Sequence, residues 1–232
     1  MTAKKGKKKT AKKKSSKGKG SSKRKKGFVG GVLLAVLLIV ALVFAIIKVS
    51  EKDSVNSANL TELSIEAEKY AFSHGLSTNY CFFVNYAVPS GTPRFYVWDF
   101  AMHKVVATAR CMHGSGLTNT ASHPVFSNKV NSNCSSLGRF EVLRNEHGSR
   151  LKHSFRLQGL DRENSNAYGR GLLIHSSRWV DFHKHKKYIP LHTPSCQGCV
   201  TISTRGMRYV ERLVKNEPKN ILLWSFYKAD IQ

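Results

Sequence analysis

PSCQGCVTIS, residues 194–203, decides how this chain is to be read. Two of its five cysteines, Cys196 and Cys199, stand three positions apart around Gly198. A C-x-x-C of this kind is a redox pair, half of a zinc site, or the surroundings of a single nucleophile, and each belongs to a different protein. A redox pair opens a helix, with its first thiol at the helix N-terminus. Here the β-favouring Val-Thr-Ile-Ser follows, and a helix starts only near Arg205. Zinc needs two further ligands, and among ten histidines His183, His185 and His192 are candidates, yet there is no second C-x-x-C and no H-x3-H. A nucleophile needs a base, since the thiolate is the attacking species. His175, at the end of the apolar run Gly171-Leu172-Leu173-Ile174, is placed where a side chain leaving a buried strand faces a pocket at the sheet edge. The competing reading is a surface or structurally bonded histidine. Gly198 lets the backbone turn tightly and a bulky acyl group approach backbone N–H donors; it is otherwise an ordinary turn glycine.

The surroundings of the pair are rich in β-formers. NYCFFVNYAV (79–88), RFYVWDF (94–100) and KVVATARCMH (104–113) read as strands, the first two joined as a hairpin across Pro-Ser-Gly-Thr-Pro. Shorter strands are expected at 138–144, 152–159 and 169–176, and a last one at NILLWSFY (220–227). RGMRYVERLVKN (205–216) places Met207, Val210 and Leu213 at three-residue spacing, as an amphipathic helix does. A second helix is expected after Asn59, with Leu60, Leu63, Ala67, Tyr70 and Ala71 on one face and Gly75 at its stop. The fold class is therefore mostly β, one sheet-built domain with two or three helices and no internal repeat.

The N-terminal part is different in kind. The net charge of +24 suggests nucleic acid, but thirteen Lys and one Arg within residues 1–27 carry 14 of it. That Lys/Ser/Gly tail has almost nothing to bury and is expected to be disordered and cytoplasmic. Residues 28–47 contain no charge, and at 1.5 Å per residue twenty residues span roughly 30 Å of bilayer, so 28–48 is expected to be a single transmembrane helix. The basic tail would hold the N-terminus inside and send the rest across. This predicts a single-pass protein of the cytoplasmic (inner) membrane, with a stalk and helix over 49–78, an extracytoplasmic or periplasmic domain over 79–232, and no nucleic-acid partner. An odd cysteine in an oxidising compartment needs a reason, and a reactive nucleophile is one.

Several stretches together resemble one family, the murein L,D-transpeptidase catalytic domain of the YkuD type. IHSS (174–177) and CQGCV (196–200) are similar to its strand-ending His and its Ser/Thr-x-Gly-Cys signature. SHPVFSNKVNSNCSSLGRF (122–140), GLDRENSNAYGRGLLIHS (159–176) and MHGSG (112–116) agree with a subfamily pattern, so that the match covers roughly 79–227. The resemblance implies a β-sandwich or barrel-like fold and acyl transfer on peptidoglycan stem peptides through a cysteine acyl-enzyme. In that reading Cys199 is the nucleophile, His175 its base and Ser176 the group that orients the imidazole. Gly198 and Cys199 supply the oxyanion-hole amides, and no metal or cofactor is needed. This sequence departs from the pattern at Cys196, Gln197 and Thr201, the last standing where an arginine is common. Arg170, Arg178 and Arg205 are then the candidates for a substrate carboxylate. The alternative is a catalytically silent wall-binding domain that retains the fold.

Overall fold

A computed structural model describes residues 22–116, 118–146, 151, 153–192 and 196–228; within the first helix, side chains are described over 34–45 and from 60 onward. The chain divides into two units, Met1–Glu51 and Lys52–Gln232.

The first helix, α1, runs Ser22–Ser73 without interruption. Its length has a simple cause: no proline falls within it and no glycine after Gly31, so nothing breaks the backbone ladder. Asn59 is therefore interior rather than a cap, and the expected stalk at 49–58 is helical. Most of the basic tail, residues 1–21, lies outside the described residues; 22–27 open α1. The expectation of a transmembrane helix at 28–48 is corrected. Among the described residues no helix is long and apolar enough to cross a membrane. The single-pass topology and membrane partner expected from it are accordingly not supported.

Where α1 ends, the local chemistry matches the sequence. Gly75 adopts φ +68°, and the Leu76 N–H reaches back to the Ala71 carbonyl at 2.9 Å, closing a Schellman-type stop. Leu60, Leu63, Ala67 and Ala71 are buried against Cys81, Phe83, Trp98, Phe100 and Leu222. The remaining elements are β1 (Tyr80–Asn85), β2 (Phe95–Asp99), β3 (Lys104–Ala109), β4 (Cys111–Met112), β5 (Gly138–Leu143) and β6 (Ser154–Gly159). A 3-10 turn follows at Arg162–Asn164, then β7 (Leu173–Ser176), α2 (Arg178–Phe182), β8 (Val200–Ile202), α3 (Thr204–Asn216) and β9 (Ile221–Phe226). Four helices are thus described, counting the 3-10 turn, rather than two or three.

The nine strands form one sheet in the order β3-β2-β1-β9-β5-β6-β7-β8-β4. β1 pairs β9 and β7 pairs β8 in parallel; the other pairings are antiparallel. Its two terminal strands, β3 and β4, are separated by Arg110 alone, so the ends of the sheet meet and the whole is barrel-like. Alternation along the strands makes two cores. Phe82, Val84, Phe95, Val97, Phe140, Phe155, Ile174 and Leu223 pack inside with Met207, Val210 and Val214 of α3. The intervening Cys81, Phe83 and Trp98 face the helix side. Each fully buried side chain of this size contributes about 1.5–3 kcal/mol. Covered on both faces, β1 reads as a continuous apolar run rather than an alternating one.

Candidate active site

Parallel pairing of β7 with β8 sets His175 opposite Thr201, with Ile174 opposite Val200 and Ser176 opposite Ile202. Cys199 immediately precedes β8, two residues before Thr201. Cys199 itself lies in the bend that leads into β8, so the parallel pairing brings its backbone to the end of the strand that faces β7.

The buried His175 is held at both nitrogens. Nδ1 lies 3.0 Å from the Ser176 carbonyl oxygen, which can only accept, so Nδ1 carries the proton and Nε2 presents a lone pair. That lone pair faces the Thr201 hydroxyl at 3.2 Å. Burial pushes the imidazole below its ordinary pKa, with the Ser176 carbonyl opposing, so the group is neutral near pH 7. Ser176 thus orients the ring through its backbone, not its side chain. Thr201, which sequence reasoning recorded only as the absence of an arginine, is the group in contact with the basic nitrogen.

All five cysteines are free thiols, and Cys199 alone is not fully buried. The residue lines a cavity of about 200 Å³ together with Val130, Asn131, Asn133, Arg170 and Gln197. Burial raises the Cys199 thiol above its ordinary pKa, offset in part by the Leu173 backbone and the Arg170 guanidinium. Cys196 is different. Fully buried, it donates from Sγ to the Cys199 carbonyl at 3.4 Å. Burial drives its pKa up strongly, with the neighbouring Thr201 side chain and Gly198 backbone opposing. Among the described residues no three of His, Cys, Asp and Glu gather as metal ligands, so the zinc reading of the pair has no ligand set. The redox reading lacks its helix, since β8 follows.

Gly198 has φ +103°, and a Cβ there would stand 2.5 Å from the Cys134 carbonyl oxygen and 3.0 Å from Arg170 Nη2. The close approach of the 127–136 loop, not only the turn, demands glycine. Arg170 holds that loop. Its Nη1 donates to the Ser127 carbonyl at 2.8 Å and the Ser136 hydroxyl at 2.7 Å, and its Nη2 to the Ser132 hydroxyl at 3.3 Å and the Cys134 carbonyl. Four terminal N–H groups are thus engaged, which makes Arg170 a clamp beside the thiol rather than an open carboxylate receptor. The other two arginines are not brought to the cavity: Arg178 is exposed at the start of α2, and Arg205 lines a separate groove. Asn131 and Asn133, at φ 59° and 55°, were missed. Left-handed Asn in an Asn/Ser-rich loop was the available signal.

Comparison with known proteins agrees with this framework. Residues 51–223 match the family described as the L,D-transpeptidase catalytic domain, and the chain belongs to that family. It is accordingly a transpeptidase-type enzyme. Among solved structures, the chain is similar to the L,D-transpeptidase (residues 123–326) from Xylanimonas cellulosilytica, at 16% identity over 68% of each chain, with a TM-score of 0.35. No curated protein matches.

Proposed function

We propose that the 79–232 region transfers acyl groups on peptidoglycan stem peptides outside the cytoplasm, as an L,D-transpeptidase or L,D-carboxypeptidase, through a thioester on Cys199. One observation carries this reading: of five cysteines, only Cys199 is not fully buried, and it lines a cavity. In the first step the thiol proton passes to His175 Nε2 as Sγ attacks the carbonyl carbon before a terminal D-residue. The oxyanion accepts from the Cys199 amide. Collapse breaks the C–N bond, and the leaving amine takes the proton from the imidazolium. An amine or water then attacks the thioester and returns the thiol. The Ser176 carbonyl keeps the proton on Nδ1 throughout, and no step requires a metal.

The second reading, a silent wall-binding domain, has its own support, because His175 Nε2 pairs with Thr201. Incubation of the purified protein with tetrapeptide and pentapeptide muropeptides separates them. The enzyme reading predicts loss or exchange of the terminal D-residue, seen as mass changes. Muropeptides that bind and emerge unaltered select the silent domain.

A further inference from the structure

A cavity of about 1020 Å³ lies away from Cys199, at the seam where the sheet closes. β4 meets β8 only through Cys111 and Met112, and the pairing is prolonged by the Ser203 N–H on the Arg110 carbonyl at 3.2 Å. Beyond that point β3 turns its outer edge toward α3 instead of a strand, and it ends the sheet on that side. Gly206 permits the approach, since a Cβ there would stand 2.5 Å from the Ala109 Cβ. Residues 106–110 line the groove in an unbroken row. A strand shows alternate residues by its face, and consecutive ones by its edge.

Opposite that edge, Arg205, Arg208 and Arg212 are exposed and share one face of α3 by their spacing of three and four. With Arg110 and Lys184 they place five cations in the lining against one carboxylate, Asp181. Asp181 is already engaged, accepting from the Thr204 N–H at 3.2 Å and from its hydroxyl.

We propose that this groove binds an extended acidic peptide, added as a strand to the β3 edge with its carboxylates on Arg205, Arg208 and Arg212. β3 is a terminal strand of the sheet, and a strand edge takes a backbone partner, which a polyphosphate lacks. Arginine forks take carboxylates bidentately. Alternate residues of an added strand recur about every 6.7 Å, close to the ~6 Å separating Arg208 and Arg212 along the helix axis. The chain's own N-terminal tail, with fourteen basic residues and no acid in 1–27, has the wrong sign for this site. The proposal does not rest on the acyl-transfer reading.

Fluorescence anisotropy of a labelled, end-blocked (Glu-Val)5 peptide with the full chain tests it, alongside a (Lys-Val)5 peptide and inorganic polyphosphate. The acidic peptide should bind in a salt-sensitive manner and add hydrogen-exchange protection to the amides of 106–109. Affinity should fall at least tenfold in the R205Q/R208Q/R212Q variant. Arg208→Glu, which changes one exposed side chain, carries the test should the triple variant unfold. Absence of binding, affinity unchanged in these variants, or equal binding of polyphosphate without protection of 106–109 overturns the proposal.

Discussion

Thr201 Oγ1 lies 3.2 Å from His175 Nε2, on the strand that pairs in parallel with β7. Because the Ser176 carbonyl fixes the proton on Nδ1, the Thr201 hydroxyl donates to the lone pair that a general base needs. The same side chain also neighbours the buried Cys196 thiol, whose strongly raised pKa it opposes. Thr201 thus stands between the imidazole and the second thiol of the C-x-x-C, which itself donates to the Cys199 carbonyl.

Thr201→Val removes that donor at nearly constant shape. The neutral imidazole loses a stabilising hydrogen bond, so the His175 pKa should move upward, read from its NMR titration. Alkylation of Cys199 should accelerate by about fivefold, the equivalent of the ~1 kcal/mol of one hydrogen bond. Slower alkylation would show that Thr201 assists the base instead of restraining it.

Gly198→Ala forces a Cβ to within 2.5 Å of the Cys134 carbonyl at φ +103°. Backbone cannot yield as a flexible side chain does, and the same carbonyl accepts from Arg170. A loss of about 1–3 kcal/mol is expected. This corresponds to a drop of roughly 3–10 °C in Tm for a domain of this size. An unchanged Tm would mean the 127–136 loop is not held against the turn.

Acid should weaken the fold through His113. Its Nδ1 accepts from Arg94 Nη2 at 3.1 Å and its Nε2 donates to the Thr120 carbonyl at 2.9 Å. Burial, aided by Arg94, lowers its pKa from 6.5 to about 4. The unfolded chain therefore takes up a proton that the native state refuses between those values. Stability is full above about pH 6.5 and falls as pH drops toward about 4, by ~3 kcal/mol for this group. Urea midpoints measured across that window should decline with acidity; a flat profile would contradict the assignment.

Much of this was legible in the sequence because its signals are local. The strands at 79–88, 94–100 and 220–227, and the α3 face of Met207 and Val210, follow from period and composition. The stop at Gly75 follows from its freedom to adopt positive φ. What stayed hidden depends on pairing across the chain. The 3-10 turn at Arg162–Asn164 and the five-residue α2 are too short to show a period. The contact of Thr201 with His175 exists only once β7 and β8 lie in parallel register. The engagement of Arg170 with Ser127, Ser132, Cys134 and Ser136 likewise needs the folded loop, so a charge that looked available in sequence is taken up by carbonyls and hydroxyls. The uncharged apolar run at 28–47 looked like an isolated span, while the structure continues it as helix to Ser73.

The central claim is that Cys199 carries the acyl group. Intact-protein mass spectrometry after incubation with a carbapenem tests it most directly. The wild-type chain should gain the mass of one carbapenem and Cys199→Ala none. An adduct that persists in Cys199→Ala, or a wild-type chain that never gains one, would contradict the account.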